Sequence, residues 1–158
     1  QSMNLRRLEL VVVCLSLAAR SLAAQAAPSF INPPGLSTPK GYTHAVVVPS
    51  GSRLVVISGQ VALDSAGQIV GAGNMTAQAT QVFENLKRAL AGVGATWKDV
   101  VKLNTYVTSM GQSQAFRDVR DKYVNTEAPP ASTLIEVRRL FRDEFVVEVE
   151  AIVAIPEK

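Results

Sequence analysis

The chain has 158 residues, of which 47% are hydrophobic, and a formal net charge of +3. That is enough apolar material for one packed domain, and it excludes a disordered chain. The positive charge sits at the start: beyond residue 27 there are 13 basic against 12 acidic residues. A near-neutral domain argues against a nucleic-acid surface, which needs clustered Lys and Arg to neutralise phosphates.

In chain order, Gln1-Ser2-Met3 reads as a tag remnant. Residues 3–27 then read as a secretory signal peptide. Arg6 and Arg7 make the positive start, Leu10 to Ala19 the apolar stretch, and Ala24-Gln25-Ala26 the small-residue cleavage site. The apolar run is too short to span a bilayer. The expectation is a leader over 1–27, a single domain over 28–158, and a periplasmic or secreted product with no membrane segment in its mature form. Cys14, the only cysteine, lies in the leader. The remainder therefore has no disulfide, thiol nucleophile or thiolate metal site. His44 is the only histidine, and no partner pattern makes it part of a zinc site or a triad, so no metal is expected.

The stretch "APSFINPPGLSTPKG" reads as an irregular arm. "YTHAVVV" and "RLVVISG" are β-branched runs separated by "PSGS", which predicts a hairpin. A turn follows at Ser65 to Gly67. Thr76 is the expected cap of a helix with Val82, Phe83, Leu86, Leu90 and Val93 on one face, ended by "GVG". "DVVKLNTYVTS" is a strand, and "GQSQAFRDVRDKYVN" a second helix. "STLIEVRRL" and "EFVVEVEAIVAI" are strands; in the latter Phe145, Val147, Val149, Ala151, Val153 and Ile155 share a face by the period of two.

The predicted fold is α+β: a mixed sheet with two helices on one face. The other face carries Val146 and Ile152 beside Glu148 and Glu150. Two helices do not cover both faces, so the sequence predicts self-association.

The segments "GYTHAV", "ISGQVALD", "ATQVFENLKRALAGVGATWKDVVKLNTYVT" and "PPASTLIEV", with the closing "VEVEAIVAI", resemble the RidA/YjgF family, also labelled L-PSP endoribonuclease, over about residues 38–156. The resemblance implies a chorismate-mutase-like fold and a homotrimer with ligand clefts at its subunit interfaces. It implies hydrolysis of reactive imines and enamines to keto acids and ammonia, without a cofactor. An arginine in the family's P-A-R-S stretch clamps the substrate carboxylate, and a glutamate in the last strand helps orient water.

By this match Glu148 is the catalytic residue. Tyr42 and the Ser58-Gly59-Gln60 loop line the cleft, with a simple strand-end bulge as the structural alternative for the loop. Ser132 falls where the arginine would be, and Thr133 follows it. A guanidinium grips a carboxylate with two charge-assisted hydrogen bonds, whereas a hydroxyl gives at most one neutral bond. The sequence therefore predicts weak binding of the simple 2-imino acids. Arg117, Arg138 and Arg139 are the candidate replacement cations, although Arg117 and Arg120 also read as solvated helix charges. An Arg138–Glu148 or Arg138–Glu150 cross-strand pair is the structural alternative for Glu148. Asn85, Trp97 and Tyr106 read as structural.

Three functions follow, in order. The first is an exported trimer that binds a small metabolite and hydrolyses an imine or related C–N bond. The second is a non-catalytic ligand-binding or protein-interaction trimer. The third, weakest, is an endoribonuclease, because the chain has few aromatics and no histidine pair.

Overall fold

The computed structural model describes residues 27–157. The leader expected over 1–27 lies outside them, save Ala27. Six strands and two helices follow: β1 (Ser29–Ile31), β2 (Ala45–Val47), β3 (Ser52–Gln60), α1 (Met75–Gly92), β4 (Val100–Val107), α2 (Ser113–Arg120), β5 (Ala131–Glu136) and β6 (Val147–Pro156).

The main sheet has the order β3-β6-β4-β5. β6 pairs antiparallel with both β3 and β4, and β4 pairs parallel with β5. The long crossover that a parallel pair requires is supplied by α2. The two helices cover one face. Val82, Phe83, Leu86 and Leu90 of α1 are buried against Leu103 and Val107 of β4 and Val147, Val149, Ala151 and Val153 of β6. Phe83 sits at the centre, stacked on Tyr123 at 5.1 Å and near Trp97 and Phe116.

Several expectations need correction. β2 does not form a hairpin with β3. It pairs with β1 in a separate two-stranded sheet, so the arm is partly ordered. A β-branched run announces a strand but not its partner. The cap of α1 is Asn74, whose Oδ1 accepts from the Ala77 N–H at 3.0 Å, and not Thr76. α2 stops at Arg120, and β5 stops at Glu136, whose carboxylate accepts from the Met110 N–H at 2.6 Å. β6 begins only at Val147. Arg120 is buried, paired with Asp121 at 2.7 Å, and not solvated. Its guanidinium lies where a side chain at Gly41 would be, and Gly41 adopts φ +74°. Among the described residues no helix is long and apolar enough to cross a membrane.

Candidate functional site

The start of β6 is held by a buried glutamine. Gln78 of α1 is fully buried; its Nε2 donates to the Glu144 carbonyl at 2.6 Å, and its Oε1 accepts from the Val146 N–H at 2.9 Å. A two-sided amide clamp of this kind fixes the chain just before Val147. The alternation of β6 then sends Val147 and Val149 into the core and Glu148 and Glu150 to the open face.

β3 meets this point through a bulge. Its register against β6 runs Ile57–Ala151 and then Gln60–Val149, so β3 carries one extra residue. Gly59 lies in the bulge. A Cβ there would come within 1.8 Å of Glu148 Oε1 and 2.7 Å of its carboxyl carbon. Only glycine lets the Glu148 side chain lie against the strand here. Gln60 folds back and donates from Nε2 to the Ser58 carbonyl at 3.1 Å. Within one subunit Gln60 therefore braces the bulge, while Ser58 is exposed.

On the other side of β6, Tyr106 pairs with Glu148 and Asn104 with Glu150. The Tyr106 hydroxyl donates to Glu150 Oε2 at 3.2 Å, and Asn104 Nδ2 donates to the same oxygen at 3.3 Å. Glu150 is thus satisfied, whereas Glu148 faces its charge. Half-burial, and then the Glu150 carboxylate, raise the Glu148 pKa above the usual 4.5. Burial, and then Glu150, likewise raise Tyr106. A cavity of about 290 Å³ opens here, lined by Tyr106, Arg139, Phe141, Glu148 and Glu150 among others. The Glu148–Gly59 contact stands where the sequence reading allowed a pair with Arg138. Among the described residues the ion pairs are Lys87–Glu84 and Arg120–Asp121.

The remaining candidates lie elsewhere. Thr43, beside Tyr42, donates to the Pro129 carbonyl at 2.6 Å, which ties Tyr42 to the turn entering β5. The Tyr42 ring meets His44 edge-on at 5.2 Å. His44 Nε2 lies 2.8 Å from the Ser37 carbonyl and so holds the arm. Ser132 is half-buried and in register with Leu103, on the helix side of β5. Thr133, on the open side, accepts from Lys102 Nζ at 2.5 Å. Burial lowers the Lys102 pKa from its usual 10.5. β3 and β5 are separated by β6 and β4, roughly 14 Å at ~4.8 Å per strand spacing. The chain therefore brings Gly59 and Glu148 together but sets them strands apart from β5, where Ser132 and Thr133 lie on opposite faces.

Sequence reading missed three neighbours. Tyr106 and Asn104 flank the two glutamates, and the period of two along "KLNTYV" could have put them on that face. Arg88 borders a second cavity of about 580 Å³ with Gly59, Gln60 and Asn85, and donates to Asn85 Oδ1 at 3.0 Å. Asn85 behaves as expected, donating to the Val61 and Leu63 carbonyls at 3.1 and 2.8 Å.

Comparison with known proteins finds relatives of the chain and of its fold. The family model described as endoribonuclease L-PSP matches residues 35–155. Protein DfrA of Myxococcus xanthus is 34% identical over 136 residues, covering 86% of this chain and 95% of that protein. The 2-iminobutanoate/2-iminopropanoate deaminase of Dermatophagoides farinae is 31% identical over 114 residues, covering 72% of this chain and 85% of that protein. The crystal structure of YyfB from Yersinia pestis, a protein of the conserved Rid family, superposes with a TM-score of 0.72 at 33% identity, covering 82% of this chain and 100% of that one.

Proposed function

This chain belongs to the RidA/YjgF family, that of endoribonuclease L-PSP, and from that premise we propose that it hydrolyses a small imine or enamine in clefts between identical subunits. The observation that carries the reading is Glu148 laid against Gly59, half-buried beside Glu150. A carboxyl with a raised pKa is closer to the pH at which it gains and loses protons. Its ionised form takes a proton from water as the oxygen attacks the imine carbon. The same group returns that proton to the imine nitrogen and, as the carbinolamine collapses, takes the hydroxyl proton and passes it to the departing nitrogen. The C=N bond becomes C=O, and ammonia leaves. This chemistry needs no cofactor or metal, and none is proposed.

The homotrimer is part of the proposal. Ser132 on β5 and the Gly59–Glu148 pair are strands apart in one subunit, and the edge of one subunit against the next would join them. Leu54 and Val56 on the open face are 59% and 77% exposed, an apolar surface suited to a second copy. We propose export to the periplasm or outside the cell from the leader pattern in residues 3–27.

Ser132 sets the ligand class. Without a guanidinium at that position, and with Lys102 engaged by Thr133, the cleft suits a neutral ligand better than a 2-imino acid. The loss of the clamp also favours a second reading, a trimer that binds its ligand without catalysis. Ammonia release from a freshly generated imine tests the choice. The proposal expects acceleration above buffer and a loss of about 100-fold in Glu148→Gln, the scale of general acid–base catalysis. No acceleration by the native protein would leave the non-catalytic reading.

A further inference from the structure

Imine hydrolysis needs a water held at the right angle as well as a group that takes its proton, and Tyr106 stands where such a water would sit. It faces Glu148 directly across the β4–β6 pairing, where opposed side chains begin ~4.5–5.5 Å apart. Its hydroxyl does not bond that partner. It reaches diagonally to Glu150 Oε2 at 3.2 Å, the oxygen that also accepts from Asn104 Nδ2 at 3.3 Å. Tyr106, Glu148 and Glu150 line one cavity of about 290 Å³.

The direction of that hydrogen bond decides what the phenol oxygen can do. A phenol has a single hydrogen to give and lone pairs with which to accept. The hydrogen goes to Glu150, so toward anything else in the cavity the oxygen is an acceptor. Burial, then the Glu150 charge and hydrogen bond, and then the Glu148 charge raise the Tyr106 pKa above the usual 10.0. The phenol therefore keeps its hydrogen and does not serve as a base. The Glu148 contribution also puts the hydroxyl within electrostatic reach of that carboxylate. Two acceptors on facing strands cradle one water, which occupies ~30 Å³ and needs at least about two polar partners. Of the other charged groups around Tyr106, Arg139 lines the same cavity from the chain after β5, and Lys102, farther back on β4, is engaged with Thr133. β5 sets Ile135 beside Tyr106 and brings no charge there.

We propose that Tyr106 positions the attacking water, which gives one hydrogen to the Tyr106 oxygen and the other to the Glu148 carboxylate. Glu148 takes its hydrogen as the water oxygen forms the new bond to the imine carbon. The hydrogen held by Tyr106 stays on that oxygen and becomes the carbinolamine hydroxyl. Glu150 is a positioning residue in this arrangement, because it turns the phenol hydrogen away from the water. The inference rests on the imine-hydrolysis reading and adds a second group to it.

Tyr106→Phe removes the oxygen and keeps the ring. Ammonia release from a freshly generated imine without a carboxylate is followed across pH in the native protein, Tyr106→Phe, Glu150→Leu and Glu148→Gln. The expected result is a loss of about 10- to 100-fold in kcat for Tyr106→Phe, the scale of one positioning hydrogen bond. KM should stay within about twofold, and the limb of the pH profile that belongs to Glu148 should stay in place. Glu150→Leu frees the phenol hydrogen to turn on the water and should lower the plateau kcat about tenfold. A loss in Tyr106→Phe that a change of pH restores would mean that Tyr106 acts only on the Glu148 proton, and overturns the proposal. So does an unchanged kcat in either Tyr106→Phe or Glu150→Leu while Glu148→Gln is inactive, a result that leaves the hydrolysis reading standing. A native protein without activity overturns both.

Discussion

At the scale of single residues, Glu148 and its two neighbours set the chemistry. Glu150 receives two hydrogen bonds, whereas burial and then the Glu150 carboxylate raise the pKa of Glu148. The sign of its effect on stability follows. Below the ordinary carboxyl value of 4.5 the group is protonated in both folded and unfolded chains and costs nothing. As pH rises through the higher folded value, the unfolded chain releases its proton more readily, and stability falls. Glu148→Gln removes that penalty. Thermal unfolding should show the variant more stable than the native protein above pH 7, with the gap closing as pH drops below 4.5. A gap that widens on acidification would mean that Glu148 is stabilised as an anion.

The family resemblance singled out Glu148 and Gly59, and the structure lays the one against the other. Residue types did not reveal Trp97 as a lining residue, with Phe30, of a cavity, nor Arg120 as a buried cation. Those roles depend on what packs around a side chain, and the arm that supplies Phe30 carried no strand signal strong enough to place it.

At the scale of elements, the bulge in β3 is the feature on which the site depends. The helical and period-two patterns of α1, β4 and β6 were plain in the sequence because one face of each is buried. The bulge is legible there only as the alternative to a cleft loop at Ser58-Gly59-Gln60, because one extra residue leaves alternation intact on either side. The β1–β2 pairing was equally hidden: "AVV" fits any neighbouring strand. Gly59→Ala tests the bulge. The added methyl group meets the end of the Glu148 side chain rather than backbone, so Glu148 is displaced at little cost to folding. The expected outcome is a stability change within about 1 kcal/mol, with a loss of about 100-fold in hydrolysis, the scale assigned to the displaced acid–base group. Unfolding midpoints and kcat/KM measured on one preparation check both halves. A large loss of stability with activity retained would make Gly59 a purely structural residue.

At the scale of the whole molecule, the open face of the sheet unites two properties. It presents Leu54 and Val56 to solvent, with Ile152 opposite Val56, and it carries Glu148 farther along β6. The sequence indicated this face through apolar and acidic residues alternating with the buried set, although not which subunit edge would meet it. If copies of the chain close over the face, a charge in its centre should separate them. Val56→Lys points a charge from a residue that is 77% exposed in the single subunit, so the fold should survive. Sedimentation should show the native protein as a trimer and the variant as smaller species, with hydrolysis lost because the cleft needs two subunits. A native monomer, or a variant that remains trimeric, would contradict the assembly.

The whole account turns on the proposal that Ser132 stands where a cation would grip a carboxylate. The most direct measurement is kcat/KM for two imines of similar size, one with a carboxylate and one without, in the native protein and in Ser132→Arg. The account predicts that the native protein favours the neutral imine or scarcely distinguishes them. Ser132→Arg should raise the carboxylated substrate by about 10- to 100-fold, the value of one charge-assisted interaction at ~1.5–3 kcal/mol. A native protein that already prefers the carboxylated imine strongly, and gains nothing from Ser132→Arg, would contradict it and move the clamp to another cation such as Arg88 or Lys102.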